Sequence, residues 1–379
     1  MSSPITPAVK ALLAAPVAEA RGLPNDAFIS PQFLQLEHET LFPRSWVFIG
    51  RKSALPNPRD IVMTELAGDP LIIVRDKAGD IRVFYNVCPH RGAKIVTEDR
   101  SGASAITCKY HAWSFDLSGP MRGRANFYGP GKHDPADPND PNCPHLFEVR
   151  TDFWHDGIFV NLDGNAPPLE EYLAPLNRQA EGFDVSQFNY SATVTGEFNC
   201  NWKLAVENWT DVYHVFAVHP GLDKMMDPGK RTGNTIEGNL VYNRWGYDQA
   251  TLDREELPFA SNLESEAATS SFNGQLFPGL CVSFHPSMFL FWDYKPISHD
   301  WTRLSLHLYF VGDAAHDEAH AHLREARIKY YTGLNAEDEE VCRLIQEGRQ
   351  ARGYDGGRFS PYWDEGALHL ARLVAAAVS

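Results

Sequence analysis

Short hydrophobic runs rich in β-branched residues dominate the first half of the chain. Three of these runs, at 61–66, 71–75 and 81–86, are separated by the turn sequences AGDP and AGD. Such runs between turn residues are typical of antiparallel strands. They predict a small, mostly antiparallel β-domain over residues 45–165. Within it, the proline-rich segment 129–144 predicts an exposed loop.

Helical spacing marks the N-terminus and most of the second half. We predict an amphipathic helix over 11–20, where Pro16 argues against the apolar core of a secretory signal, and a second helix over 33–42. After residue 190, helical spacing alternates with period-two patterns. The predicted helices are 202–218, 314–350 and 364–378, and the predicted strands are 280–284, 288–294 and 303–311. This order predicts an α+β fold with helices packed on an antiparallel sheet.

Composition narrows the class of protein. The 379 residues are 43% hydrophobic and 22% charged, which suits a folded chain of two domains. The net charge of -15, without a basic cluster, excludes the usual electrostatic footprint of nucleic-acid binding. No apolar run is long enough to span a membrane. Six irregularly spaced cysteines do not predict a disulfide framework, so we expect a cytoplasmic location.

Two segments each offer one cysteine and one histidine. Residues 86–92 read NVCPHRG and residues 108–113 read CKYHAW, which pairs Cys88 with His90 and Cys108 with His111. Structural zinc sites also use two cysteines and two histidines, but they usually group like ligands. In a Rieske [2Fe-2S] cluster, two thiolates bind one iron and two imidazoles bind the other. The alternating spacing therefore favours a Rieske cluster over zinc.

The two segments resemble a known family. CPHRG followed by CKYHAWSFD is similar to the Rieske domain of the ring-hydroxylating oxygenases. The resemblance implies that Cys88 and Cys108 bind one iron of the cluster and that His90 and His111 bind the other. It also implies three regions: N-terminal helices at 1–44 that pack on the catalytic domain, a Rieske domain at 45–165, and a catalytic domain with a mononuclear iron at 166–379.

A second constellation lies in residues 207–220, ENWTDVYHVFAVHP. A non-haem iron that activates O2 needs two histidines and one carboxylate on one face. His214 and His219 are five residues apart, about 140° around a straight helix, so they can share a metal only where the helix is distorted or ends. Alternatively, one of these histidines belongs to the core and the other to the surface.

The pattern E-N-x-x-D-x-Y-H-x4-H resembles the catalytic iron segment of the same family. The resemblance implies that His214 and His219 are iron ligands. It gives Asp211 a bridging role, with a hydrogen bond to His111 of a neighbouring subunit, and it places Asn208 near the open iron position. A carboxylate that fixes a ligand imidazole in this way also tunes its basicity.

The third ligand is expected from a distant carboxylate. Residues 336–348, AEDEEVCRLIQEG, resemble the late E-D-x3-C-x3-Q-x-G stretch of the family and point to Asp338, with Glu337 as the alternative. Acidic residues are also common in the first turn of a helix, where they interact favourably with the helix dipole.

Electrons must come from another protein. The chain has no G-x-G-x-x-G dinucleotide loop and no further cysteine set for a plant-type cluster. We therefore expect NAD(P)H to act through a separate reductase, with or without a ferredoxin. Family precedent also implies a head-to-tail homotrimer, in which a heterologous interface closes a ring.

The substrate class stays open at this stage. The segment 280–294, with Phe216, Phe272 and Phe277, predicts an aromatic pocket lining, although core packing of a sheet explains the same residues. Such a lining suits an aromatic ring or a quaternary ammonium. The chain resembles the choline, betaine and carnitine monooxygenases as well as aromatic hydroxylases. A Rieske electron carrier without oxygenase activity is the alternative, against which the roughly 200 residues after the Rieske domain argue.

Overall fold

The fold is α+β with antiparallel sheets, as predicted. A computed structural model of the chain describes residues 5–137, 140 and 142–379, without the side chains of 227–231. The chain divides into two compact units. One comprises Phe42–Leu169, and the other combines Met1–Leu41 with Glu170–Ser379. Among the described residues, no helix combines the length and the hydropathy that crossing a bilayer requires.

Between residue 5 and Leu41 the structure describes three short helices: α1 (Pro7–Ala14), α2 (Asp26–Ile29) and α3 (Pro31–Thr40). The helix predicted at 11–20 was placed wrongly. It begins earlier, where the Thr6 hydroxyl accepts the N–H of Val9, and it ends at Ala14 because the residue before Pro16 avoids helical backbone angles. The helix predicted at 33–42 begins two residues earlier, at Pro31, and also ends two residues earlier.

The described residues of the unit Phe42–Leu169 form nine strands: β1 (Val47–Arg51), β2 (Ile61–Leu66), β3 (Asp69–Arg75), β4 (Ile81–Tyr85), β5 (Ile106–Thr107), β6 (Ser114–Phe115), β7 (Met121–Gly123), β8 (Arg150–Trp154) and β9 (Gly157–Asn161). They form three antiparallel sheets, β1-β9-β8, β2-β3-β4 and β5-β6-β7. The three strands predicted from the β-branched runs are confirmed as β2, β3 and β4. Of the predicted proline-rich loop, Pro138, Asn139 and Pro141 lie outside the described residues.

One large antiparallel sheet organises the other unit. Its strands are β10 (Phe188–Phe198), β11 (Met226–Arg231), β12 (Thr235–Glu237), β13 (Leu240–Tyr247), β14 (Ser270–Leu276), β15 (Leu280–Phe284), β16 (Met288–Ser298) and β17 (Trp301–Val311). The order is β10-β17-β16-β15-β14-β13-β11, with β12 also paired to β13. Its helices are α4 (Leu169–Gln179), α5 (Trp202–Thr210), α6 (Val215–Val218), α7 (Pro220–Met225), α8 (Gln249–Asp253), α9 (Ala321–Gly348) and α10 (Glu365–Ala377).

The middle of this sheet is buried on both faces. Every residue of β14 and β15 is buried, which explains why their sequences carry so few charges. Helix α5 contacts β14, β16 and β17, and α9 packs against α5 and β10. The core of the unit therefore lies between the sheet and these two helices.

The continuous helix predicted over 202–218 was wrong. Helix α5 ends at Thr210, and Asp211 adopts extended backbone angles of φ -71° and ψ 121°. The Asp211 carboxylate then accepts the backbone N–H groups of Tyr213 at 2.6 Å and His214 at 3.3 Å, so the side chain replaces the helical hydrogen bonds. The helix predicted over 314–350 is also shorter, since α9 begins at Ala321.

Candidate functional site

Two loops of the unit Phe42–Leu169 share one backbone pattern. In the first, Cys88 donates its N–H to Ala93 O at 2.8 Å, and in the second, Cys108 donates to Trp113 O at 2.8 Å. Four residues after each cysteine the backbone turns left-handed, at Gly92 with φ 71° and at Ala112 with φ 56°. The sequence therefore builds the same loop twice.

The loops bring both cysteines and both histidines together. Cys88 and Cys108 are buried, whereas His111 is exposed. The rings of His90 and His111 lie 4.8 Å apart, and His90 stacks on Trp113 at 4.4 Å. Burial raises the pKa of the Cys88 thiol, with a further contribution from the adjacent Cys108. Two thiols on the inner side and two imidazoles on the outer side fit a cluster with one sulfur-ligated and one nitrogen-ligated iron.

A second group of donors lies in the other unit. The Nε2 atoms of His214 and His219 lie 3.2 Å apart, and Asp338 Oδ1 lies 2.9 Å from the His219 nitrogen and 3.4 Å from that of His214. Each residue can offer one ligand atom to a single ion. Metal bonds of about 2.1 Å at right angles separate their donor atoms by about 3.0 Å, so the three atoms fit one face of a coordination sphere.

The interruption of the helix between Thr210 and Val215 allows His214, His219 and Asp338 to lie this close together. The break at Asp211 ends α5, and His219 leaves helical angles at φ -119° and ψ 65° before Pro220 begins α7. The two histidine rings therefore do not keep the roughly 140° separation of a straight helix. Their centroids lie 5.0 Å apart.

Hydrogen bonds hold each donor side chain from behind. His214 Nδ1 lies 3.2 Å from Asp211 Oδ2, and His219 Nδ1 lies 2.7 Å from Glu337 Oε2. Asn208 donates its amide to Asp338 Oδ1 at 2.7 Å. Carboxylates behind imidazoles are the usual support of metal-binding histidines. The structure thus groups Asp338 with the two Nε2 atoms and places Glu337 on the far side of His219.

The electrostatics of the group favour a positive charge at its centre. Burial alone lowers the pKa of His214, but Asp211 and Asp338 outweigh burial and raise it to about 9. The pKa of His219 is also raised, because Asp338 and then Glu337 overcome its burial. Burial raises the pKa of Asp338, yet hydrogen bonds from both histidines hold it below its ordinary value. A metal cation can replace the protons that these groups attract.

A cavity of about 670 Å³, including its open mouth, reaches the three donor residues. Its aromatic wall is formed by five side chains, Trp209, Trp245, Trp292, Tyr330 and Tyr331. The ring centroids are 5.5 Å apart for Trp209 and Trp292, 6.1 Å for Trp292 and Tyr331, and 5.2 Å for Tyr330 and Tyr331. Such a wall can bind an aromatic ring by stacking or a methylated ammonium by cation–π contacts.

The predicted phenylalanine lining was wrong. Phe216, Phe272 and Phe277 are not among the residues that line this cavity. Phe216 is 59% exposed on α6, and Phe272 is fully buried within β14. Of the predicted segment 280–294, Ser283, His285 and Trp292 line the cavity.

The sequence interpretation also missed a polar row across the sheet. Asn234 donates to Thr210 O at 3.0 Å, Asn243 to Asn234 at 3.1 Å, Asn273 to Asn243 at 3.1 Å, and Ser283 to Asn273 at 2.6 Å. Asn243, Asn273 and Ser283 face one another across β13, β14 and β15. Polar residues on one face of otherwise buried strands were the signal that could have revealed them.

Two protein-family models match parts of this chain. Residues 185–379 match the family described as "Ring hydroxylating alpha subunit (catalytic domain)". Residues 45–126 match the "Rieske [2Fe-2S] domain". The two matches contain the triad and the paired loops, respectively.

Individual proteins resemble almost the whole chain. The carnitine monooxygenase oxygenase subunit of Escherichia coli (strain K12) is 27% identical over 370 residues, covering 94% of both chains. The 2-halobenzoate 1,2-dioxygenase large subunit of Burkholderia cepacia is 25% identical, covering 93% of this chain and 83% of that one. The fold is similar to that of a quaternary ammonium Rieske monooxygenase, with a TM-score of 0.80 at 23% identity and 98% coverage of each chain.

Proposed function

Because the chain belongs to the ring-hydroxylating oxygenase alpha-subunit family, we propose that His214, His219 and Asp338 bind its catalytic iron. The protein is a Rieske-type non-haem iron oxygenase, which carries a [2Fe-2S] cluster and a mononuclear iron. The alternative of an electron carrier without oxygenase activity is thereby rejected. The triad geometry carries the ligand proposal, since three donor atoms lie 2.9 to 3.4 Å apart.

Replacing the carboxylate tests the triad directly. Asp338→Ala should abolish binding of the mononuclear iron and substrate oxidation, while the visible absorption of the Rieske cluster stays unchanged. The control Glu340→Ala alters an exposed residue of the same helix and should retain both. Retention of the mononuclear iron and of turnover in Asp338→Ala contradicts the assignment.

Cys88, His90, Cys108 and His111 are the residues proposed to bind the Rieske cluster. When bound, the two iron centres supply stored electrons and a site for O2. The protein itself buries the two thiols, holds His90 against Trp113 and leaves His111 at the surface. Cys88→Ser should abolish the cluster absorption but leave the three triad side chains able to bind Fe(II).

Asp211 and Asn208 have positioning roles in this proposal. Asp211 fixes the ring and the backbone of His214, and Asn208 holds one oxygen of Asp338 toward the triad. The side chain of Asp211 is 28% exposed, which leaves it accessible to His111 of a neighbouring subunit. The exposure of His111 supports this bridge between copies of the chain.

An oxygenase subunit of this family belongs to a multicomponent system, and we propose that a separate reductase, with or without a ferredoxin, reduces this one. We also propose a head-to-tail homotrimer in which one subunit's cluster serves the next subunit's iron.

Mixed oligomers of Cys88→Ser and Asp338→Ala subunits test electron transfer from one subunit to the next. Each variant alone should be inactive, and the mixture should recover activity. Inactivity of a verified mixed oligomer contradicts transfer between subunits.

The substrate is proposed to be a small quaternary ammonium compound of the betaine class. The aromatic wall of Trp209, Trp292, Tyr330 and Tyr331 supports this, together with the resemblance to carnitine monooxygenase over 94% of both chains. One O2, two electrons and two protons convert one C–H bond into C–OH and release one water. At a carbon bound to the quaternary nitrogen, the product breaks down to a tertiary amine and an aldehyde.

An aromatic acid is the second candidate, because the same rings can stack on it and the chain also resembles a halobenzoate dioxygenase. In that case one O2, two electrons and two protons yield a cis-dihydrodiol. The test is a single turnover of chemically reduced protein with O2 and a panel of betaines, methylated amines and aromatic acids. Aldehyde and amine support the first candidate, whereas a cis-diol supports the second.

A further inference from the structure

Two hydrogen-bond donors at the cavity wall stand out because they have no partner among the described residues. They are the indole N–H of Trp245 and the hydroxyl of Tyr330. Both atoms are buried, so each has lost its hydrogen bond to water without gaining one to the protein. Buried donors of this kind are uncommon, because the lost hydrogen bond to water is not replaced.

The polar groups around these donors are already engaged. Asn243, Asn273 and Ser283 bond to one another across the sheet. Tyr247, two residues after Trp245 on β13, bonds to His285. These hydrogen bonds leave the donors of Trp245 and Tyr330 unpaired, on two residues that line the same cavity.

The charged groups nearby do not compete for the same role. Asp211 and Asp338 line the cavity but bond to the two histidines. Arg327, in the adjoining cavity that shares Tyr330, is paired with Glu255 at 2.6 Å. The unpaired donors at this cavity wall are therefore neutral, and a neutral donor binds an ionised oxygen more strongly than a neutral one.

We infer that Trp245 and Tyr330 bind an oxygen acceptor of the substrate, of the carboxylate or carbonyl class. Tyr330 lies eight residues before Asp338 on α9, roughly 12 Å along the helix axis. We expect these donors to hold the acceptor at the end of the substrate remote from the triad, which would fix the carbon that faces the triad. This inference rests on the proposed function, since it assigns the substrate-binding residues of that same site.

Direct binding tests the inference independently of turnover. Calorimetry on the protein loaded with both iron centres compares matched pairs: glycine betaine with ethyltrimethylammonium, and benzoate with toluene. For at least one pair, the carboxylate should bind about tenfold or more tightly than its partner. Trp245→Phe and Tyr330→Phe should each weaken carboxylate binding by about tenfold and leave binding of the other member of the pair unchanged.

Matched controls separate the possible outcomes. Tyr362→Phe removes a hydroxyl from a tyrosine that is 61% exposed and should not alter binding. Tyr330→Phe keeps its ring, so thermal unfolding should show a folded protein. Methyl benzoate and the methyl ester of glycine betaine distinguish a neutral carbonyl from a carboxylate, and a preference for either supports the inference. The absence of any preference across the pairs, including the absence of binding, overturns it. A preference without product in the single-turnover assay refutes the proposed substrates but leaves the acceptor site standing.

Discussion

Glu337→Gln tests how the carboxylate behind His219 supports the iron site. The substitution keeps the shape of the side chain but removes the charge that lies 2.7 Å from His219 Nδ1. Loss of such a partner typically weakens metal binding by about 10- to 100-fold. The Glu337 side chain is 51% exposed, so solvent screens its charge. We therefore expect the lower end, about tenfold or about 1.4 kcal/mol.

The deficit should depend on pH with a definite sign. Asp338 and Glu337 together raise the pKa of His219 against the effect of burial, and iron must displace the proton that they help to bind. Glu337→Gln weakens the binding of iron. It also lowers the pKa of His219, so the proton that competes with iron for this residue is bound less tightly. The loss of affinity should therefore be largest at a pH above the raised pKa of His219 and should shrink as the pH falls.

Anaerobic Fe(II) titration of the iron-free protein against a competing chelator measures this difference. The matched control is Glu340→Gln, an exposed change three residues along α9 that should bind iron normally. Asp338→Asn should lose the site altogether. If Glu337→Gln loses the site and Asp338→Asn retains it, the two carboxylates have the opposite roles. A deficit that grows as the pH falls refutes the proton-competition argument.

Three further predictions concern stability and iron loading. Lys203 Nζ lies 2.6 Å from Glu37 Oε1, so Glu37→Ala leaves a buried ammonium without a counter-charge. Urea denaturation should show that the free energy of unfolding falls by about 3–5 kcal/mol. The double variant Glu37→Gln with Lys203→Met should largely restore it. Gly92→Ala puts a Cβ on a residue with left-handed backbone, φ 71°, and should lower the temperature at which the cluster absorption is lost. Ala112→Gly removes a Cβ at φ 56° and should raise that temperature or leave it unchanged. Equal shifts of the two variants contradict an effect of backbone strain. Fe(II) affinity should rise with pH up to about 9, the pKa of His214, and a flat profile in chelator competition contradicts this.

The Rieske loops could be predicted from sequence because their structure is local. Each loop closes on itself through its own hydrogen bond, Cys88 to Ala93 and Cys108 to Trp113. Ligand type and spacing therefore carry most of the information. The strands β2, β3 and β4 were predictable for a similar reason, since turn residues separate them.

The helix between 202 and 218 shows where periodicity misleads. Its apolar residues keep helical spacing, but the Asp211 carboxylate accepts two backbone N–H groups and ends α5. Hydrophobic spacing does not register a side chain that competes with the backbone. The break was nevertheless the condition under which His214 and His219 could share a metal.

The sequence alone predicted the family and the α+β fold correctly, and it named the residues that we propose as iron ligands. Tertiary structure decided which residues lie together. Asp338 is 119 residues from His219 in the chain, yet its carboxylate lies beside Nε2 of that histidine. Its neighbour on α9, Glu337, lies beside Nδ1 on the opposite side of the ring. It also decided the cavity wall, where Trp245 and Tyr330 come from a strand and a distant helix. The packing of the helices on the sheet fixes these contacts. Because the contacting residues are far apart in the chain, the spacing of residues within one element cannot predict them.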